Sequence, residues 1–242
     1  MEEFLFLIKN SNIIITGTSS GIGRELTIKF LKNGNKIWGC SRKEDSIKIK
    51  NYFHCTLDLS NSSKIDAWIH QVSKDTDGKI DIFISNAAIF KRRLNLLDSF
   101  DDVTETVKVN LIASMLITKM LSKFMIQNKK GLIIFFSSVA TIINEVGTSS
   151  YASSKSGLET FSQIIKNELN EFNIKVITLR ILYVPTNLSS KLNNKEITIL
   201  KNKFKTNKFG TINKIFNKIN GLYKLKKMPK NNLFYDMPKK TG

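Results

Sequence analysis

A doubly wound α/β domain on a parallel sheet is the fold this sequence predicts, and three observations predict it. Short apolar runs alternate with longer stretches of helical periodicity. The first of those runs leads straight into a glycine-rich turn and then a helix. Finally, 242 residues, 41% of them hydrophobic and only three of them proline, suit one domain with a sizeable buried core.

Six strands are expected at residues 12–16, 35–40, 52–57, 80–85, 132–137 and 174–182, each a run rich in Ile, Val, Phe or Leu. Between them the apolar spacing predicts helices. Residues 22–32 run to Asn33-Gly34, a helix stop, and residues 60–73 open on a polar cap and carry Ile65, Trp68, Ile69 and Val72 on one face. Two longer helices are expected at 101–128 and 149–172, the second with Leu158, Phe161, Ile164, Ile165 and Leu169 along one side. Residues 41–51 are short for a crossover helix and predict one turn or a loop. Right-handed crossovers then wind the chain to both sides of the sheet. Beyond residue 188 the periodicity weakens, leaving a helix at 211–220 and a short strand at 232–235.

Charge is unevenly spread. Residues 191–242 hold fourteen lysines against Glu196 and Asp236, a net +12 of the chain's +18. Such a block attracts anions: an anionic substrate, an acidic carrier protein, nucleic acid or a membrane surface. It is equally a solvated face, and it lacks the arginine and aromatic interleaving of nucleic-acid grooves, so no nucleic acid is expected. The chain begins Met-Glu-Glu with a five-residue apolar run, Phe4 to Ile8, unlike a secretory signal, and no later run appears apolar enough to span a membrane. Cys40 and Cys55 are too few for a disulfide framework and read as buried hydrophobes in a reducing compartment. These features predict a cytoplasmic protein.

The segment from Ile13 to Arg24, Ile-Ile-Ile-Thr-Gly-Thr-Ser-Ser-Gly-Ile-Gly-Arg, is a buried strand entering a glycine turn and a helix. Gly17 takes the turn, Gly21 lets main chain approach a pyrophosphate, and Gly23 lets helix pack closely on strand. Phosphate then lies at a helix amino terminus, where free N–H groups and the helix dipole favour it. Dinucleotide contacts are expected from Gly17, Ser19, Ser20, Gly21, Ile22 and Gly23. Arg42, just after the second strand, stands where an acid would bind the adenosine ribose; an arginine suits a 2′-phosphate, which favours NADP(H) over NAD(H) while leaving NAD(H) open. Asp58, after the third strand, is placed to meet the adenine or to cap a helix, with Leu59 beside it.

Tyr151 and Lys155 stand four apart in a helical stretch, so their side chains share a face. A nearby ammonium favours the phenolate and would bring the phenol toward useful acid/base strength. Ser138 lies at the carboxyl end of the fifth strand, the sheet edge where doubly wound folds bind ligands.

With these residues in place the sequence resembles the short-chain dehydrogenase/reductase family. The Thr16-to-Gly23 turn, Asn86-Ala87-Ala88, Asn110, Ser138, Tyr151 and Lys155 follow the family's order over residues 12–188. The resemblance implies a Rossmann-type oxidoreductase that interconverts a carbonyl and an alcohol by hydride transfer, with Tyr151 as acid/base. It also implies that Ser138 positions the substrate oxygen and Lys155 binds the nicotinamide ribose and tunes Tyr151. Asn110 would hold a proton-relay water. Asn86 and Ala87 would line the cofactor, and Val184 and Thr186 would face its carboxamide. A homodimer or homotetramer through the two long helices is implied too.

Three departures stand out: Ala88 replaces the family's glycine, Ile181-Leu182 replaces Pro-Gly, and the carboxy-terminal strand ending in Gly-Gly is missing. They leave room for an alternative, a catalytically silent nucleotide sensor or scaffold. Residues 1–190 are taken as the nucleotide-binding and catalytic core, with 191–242 a basic segment of the same domain that supplies a substrate loop. The substrate is expected to be a small carbonyl or alcohol, anionic or carrier-bound. No metal ligand set is expected.

Overall fold

The computed structural model describes residues 7–44, 47–181, 211–225 and 233–235. Strands β1 (Asn12–Thr16), β2 (Lys36–Ser41), β3 (Tyr52–Thr56), β4 (Ile82–Ser85), β5 (Gly131–Ser138), β6 (Ile174–Ile181) and β7 (Leu233–Tyr235) form one sheet in the order β3-β2-β1-β4-β5-β6-β7. Every pairing is parallel, so both faces must be covered. The chain winds outward through β2 and β3, then returns to place β4 on the other side of β1. That reversal opens a crevice at the carboxyl ends of β1 and β4.

The apolar runs fill both faces. Ile14, Phe83, Ile133 and Val176 point to one side, against Trp68 and Ile69 of α2 (Ser62–Thr76), Ile117 and Leu121 of α4 (Ala113–Gln127) and Leu158 of α6 (Ser149–Leu169). Ile13, Ile15, Ile84, Ile134 and Ile177 point to the other, against Leu26 and Phe30 of α1 (Gly21–Lys32) and Ile215, Phe216 and Ile219 of α7 (Ile212–Lys224). Each fully buried aliphatic or aromatic side chain contributes roughly 1.5–3 kcal/mol before its ordering entropy is counted.

The expected strands and helices stand within a few residues of their sequence bounds, with instructive differences. Residues 41–44 and 47–51 carry no helix, and the link from β2 to β3 buries Ile47 instead. The helix expected at 101–128 is α3 (Phe100–Val107) and α4 joined through a π turn (Lys108–Ile112) that contains Asn110. Extra residues of this kind inside helices often mark functional positions, and no sequence period announces them. A short α5 (Ala140–Ile143), which sequence did not anticipate, follows β5.

The expectation that no stretch is apolar enough to span a membrane needs correcting. The 28 residues Phe100–Gln127 have the length and composition to do so. In the fold, however, this helix lays Val109, Ala113, Ile117, Leu121 and Met125 against the core and buries Asn110 and Ser114 as well.

Part of the lysine-rich segment is core. Thr211 caps α7 by accepting from the Lys214 N–H at 3.3 Å, and the Phe216 ring meets Phe30 with centroids 5.0 Å apart. Asn220 is buried, accepts from Ile8 N at 2.7 Å and donates to Phe216 O at 2.8 Å, tying the helix to the chain's start. Lysines lie on the outer side of this helix, so here the basic block is the solvated face of an amphipathic element. The final strand, counted missing among the departures, is β7, paired with β6 through Leu179↔Phe234; only its Gly-Gly ending is absent.

Candidate active site

At the crevice, β1 delivers the glycine turn. Gly17 and Gly21 take φ of 76° and 58°, left-handed conformations in which a side chain would be strained. A Cβ on Gly23 would collide with Gly17 O and Asn86 Nδ2. Asn86 is the clamp: Nδ2 donates to Thr16 O at 2.8 Å and Gly17 O at 3.2 Å, while the Asn86 and Ala87 N–H groups each donate to Thr16 Oγ1 at 3.1 Å. Thr18 turns inward, buried, and accepts from the Tyr52 hydroxyl at 2.8 Å. Ser20 is exposed and Ser19 half-buried. Ser20 precedes α1 without a side-chain cap bond, and the first turn of α1 holds no acidic residue. This cradle fits a pyrophosphate: bare main chain, an exposed hydroxyl and a helix amino terminus with nothing to repel an anion.

The adenosine side is built by the ends of β2 and β3. Arg42 is largely exposed and its Nη1 donates to Glu105 Oε1 of α3 at 3.1 Å. Asp58 accepts from the Ser60 N–H at 2.9 Å; that bond first, with Arg42 and Lys64 contributing, holds its carboxyl below the usual range. The carboxylate is thus spent in part on its own turn, and the cap of α2 is Asn61, which accepts from Lys64 N at 3.0 Å. Leu59 is buried in the core, so an adenine contact from it would involve main chain.

At the carboxyl end of β5 Tyr151 of α6 meets Ser138, with Lys155 one turn further along the same helix. The Tyr151 phenol lies beside the Ser138 hydroxyl, which draws the phenol down against the upward push of burial. Ser138 Oγ also accepts from Ala140 N at 3.1 Å, which leaves its own hydrogen to point at the phenol oxygen. The Tyr151 ring is held edge-on to Phe90, centroids 4.8 Å apart at 71°. One turn on, Lys155 is buried and donates from Nζ to Phe136 O of β5 at 2.7 Å. Burial draws its ammonium down to about 8, against an opposing pull from Glu159.

Two expectations change here. The Tyr151 phenol lies above its ordinary value, because burial outweighs the Ser138 bond; an ammonium-depressed phenol is not what this arrangement holds. Asn110 is fully buried and commits both amide hydrogens, one to Ile89 O at 2.9 Å and one to Ser154 Oγ at 3.1 Å, while its Oδ1 accepts from Ile89 N at 2.7 Å. Its side chain therefore braces the Ile89-Phe90 segment against α6 and has no hydrogen left to offer a relay water. Val184 and Thr186 lie outside the described residues.

Sequence reasoning missed Glu159. It is buried one turn past Lys155, accepts from Ser137 Oγ at 2.6 Å and Thr141 Oγ1 at 3.2 Å, and pairs with Arg180 of β6 through Nε at 2.7 Å and Nη2 at 2.6 Å. The signal was present: Tyr151, Lys155 and Glu159 repeat every four residues along one helical face.

The family model for short chain dehydrogenases matches residues 11–197. Among similar proteins, the 3-oxoacyl-[acyl-carrier-protein] reductase FabG of Buchnera aphidicola subsp. Acyrthosiphon pisum is 31% identical, covering 77% of this chain and 79% of the relative. The FabG of Buchnera aphidicola subsp. Schizaphis graminum is 28% identical over 88% of this chain and 89% of its own. The fold matches a Brucella melitensis 3-ketoacyl-(acyl-carrier-protein) reductase complexed with NADH (TM-score 0.83, 18% identity, 94% and 96% covered). It also matches a 4-hydroxyisoleucine dehydrogenase mutant complexed with NADH and succinate (TM-score 0.86, 22% identity, 93% and 96% covered). A family match across most of the chain, meeting a glycine cradle and a Ser138–Tyr151 pair in the same crevice, leads to one conclusion: the chain belongs to the short chain dehydrogenase family and is an NAD(P)-dependent oxidoreductase.

Proposed function

We propose that this oxidoreductase reduces a carbonyl with Tyr151 as the proton donor, and that NADPH is its preferred reductant. The observation that carries the reading is the buried Tyr151 phenol beside Ser138 at the carboxyl end of β5, on the same sheet edge that builds the glycine cradle. A reduced nicotinamide, when bound, supplies hydride to the carbonyl carbon. The phenol gives its proton to the carbonyl oxygen, and Ser138, already oriented by Ala140 N, donates to that same oxygen. A phenol raised by burial holds its proton until charge builds on the oxygen, as a general acid should. Lys155 supplies a positive charge one helical turn from Tyr151, and Asn110 holds Ile89, the neighbour of the Phe90 ring against which Tyr151 rests.

NADPH preference rests on Arg42 at the end of β2. A 2′-phosphate would take the guanidinium from Glu105 and gain a charge-assisted contact that the ribose hydroxyl of NADH lacks. The substrate we favour is anionic or carrier-bound: Lys91, Arg92 and Arg93 follow Phe90 directly, and the similar reductases are named for acyl-carrier substrates. Assembly as a homodimer or homotetramer and a cytoplasmic setting, the latter suggested by sparing use of cysteine, belong to the same proposal.

The test is NADPH oxidation with acetoacetyl-coenzyme A, alongside small ketones and keto-sugars. Tyr151→Phe should lower kcat/KM by roughly 10²–10⁴-fold while NADPH still binds. Turnover by Tyr151→Phe within tenfold of the parent would remove Tyr151 from the chemistry.

A further inference from the structure

We infer that Glu159 is a positioning residue for the proton-transfer pair: its carboxylate, shared between Arg180 and the Ser138-bearing turn, fixes that turn and the electrostatic field at Lys155. This deepens the Tyr151–Lys155 assignment above and rests on it.

The geometry is specific. Glu159 Oε1 accepts from three groups, Ser137 Oγ, Thr141 Oγ1 and Arg180 Nε, and Oε2 takes Arg180 Nη2. The single Thr141 hydroxyl hydrogen is shared between Glu159 Oε1 and Ser138 O, the latter at 2.9 Å, so the carboxylate meets Ser137 on one flank of Ser138 and Thr141 beyond the other. Arg180 stands on β6 opposite Ser137, one residue before the Ile181-Leu182 position where the sequence departs from the family's pattern. With its side chain only 11% exposed, the guanidinium is held in a bidentate fork that ties β6 to α6.

The same carboxylate is the nearest compensating charge for Lys155, one helical turn away. Glu159 on its own helix is the charge that acts on Lys155, Tyr151 lies one turn back, and Arg180 of β6 reaches Lys155 through its pairing with that carboxylate. Among the described residues, β5 gives Lys155 the neutral Phe136 O, and the neighbouring Ser137, Ser138, Thr141 and Asn110 are neutral as well. Arg180 and Glu159 therefore act on Lys155 with opposite signs, and removing them must move its proton in opposite directions. A pair that merely stapled the fold would not do this.

The experiment is the pH dependence of kcat/KM for NADPH with acetoacetyl-coenzyme A, paired with melting temperature against pH as a readout that needs no turnover. Glu159→Gln leaves Arg180 uncompensated and should move the basic limb down by about one pH unit. Arg180→Met frees the carboxylate and should move it up by a smaller amount, because the guanidinium acts from beyond the carboxylate; Arg180→Lys keeps the charge and should stay within a few tenths of a unit. The alkaline onset of stabilisation set by Lys155 should shift in the same directions. Should Arg180→Met fail to fold, the Glu159→Gln/Arg180→Met double variant removes both charges, and its limb should fall between parent and Glu159→Gln. Lower melting temperature and slower turnover with both limbs unmoved, or a double-variant limb at or above the parent's, overturns the inference. If Tyr151→Phe keeps turnover, the assignment beneath it falls and takes the inference along; if Tyr151→Phe abolishes turnover and the limbs stay put, the inference alone is wrong.

Discussion

Gly23→Ala separates the glycine turn's role in folding from its role in binding. Gly23 is buried in the first turn of α1, and a Cβ there would overlap Gly17 O and press on Gly17 C at 3.0 Å and on Asn86 Nδ2. Neither obstacle can swing aside. Gly17 O is main chain, and Asn86 Nδ2 already donates to Thr16 O and Gly17 O. Overpacking of this kind costs about 1–3 kcal/mol, and losing one of the Asn86 bonds adds about 1 kcal/mol. Better helix propensity offsets at most about 1 kcal/mol of this. The net, about 1–3 kcal/mol, corresponds to a melting point lower by roughly 2–12 °C for a chain of this size. Binding should suffer more, because the methyl displaces the Gly17–Gly21 main chain that would meet the pyrophosphate, and tenfold or greater weakening of NADPH is expected. Thermal denaturation gives the first quantity and titration of NADPH fluorescence the second. Gly221→Ala is the matched control. Its Cβ would meet nothing within 4 Å in α7, so it should stabilise by about 0.5–1 kcal/mol and leave binding alone. A Gly23→Ala protein that binds NADPH within twofold of the parent would refute the phosphate cradle, whatever its melting point.

Two further expectations follow from charge. Arg42→Ala should weaken NADPH by about 10–100-fold, the worth of one to two charge-assisted hydrogen bonds, and change NADH affinity little; equal losses for both nucleotides would put the 2′-phosphate elsewhere. Lys155 predicts a stability slope: below about pH 8 the folded and unfolded chains both hold its proton, whereas between about 8 and 10.5 only the unfolded chain does. Unfolding then takes up a proton, so this group makes stability rise with pH across that window. Subtracting the melting profile of Lys155→Met should leave a rising difference above pH 8, and a flat or falling one would mean Lys155 is not buried as described.

How far the site could be read in advance depended on whether its residues act through neighbours in sequence or across the fold. Strand runs such as Ile13-Ile14-Ile15, the Gly17–Gly23 turn and the Tyr151–Lys155 spacing each declare themselves locally, since period and glycine demand come from the backbone itself. The π turn at Asn110 is invisible because an inserted helical residue leaves composition unchanged, and the bonds that Asn110 makes from it to Ile89 join residues twenty-one apart. The sign of the Tyr151 shift was likewise out of reach: helical spacing brings an ammonium near, but burial by Phe90 and the sheet decides which effect wins. Glu159 lies between these cases. Its place on the Tyr151–Lys155 face is local, whereas its partner Arg180 is twenty-one residues away on β6, where only sheet register brings it beside Ser137. A buried acid that repeats the Tyr151–Lys155 face is therefore the feature to seek in such sequences, because burial obliges it to find a cation, and here that cation comes from β6, the strand beside Ser138.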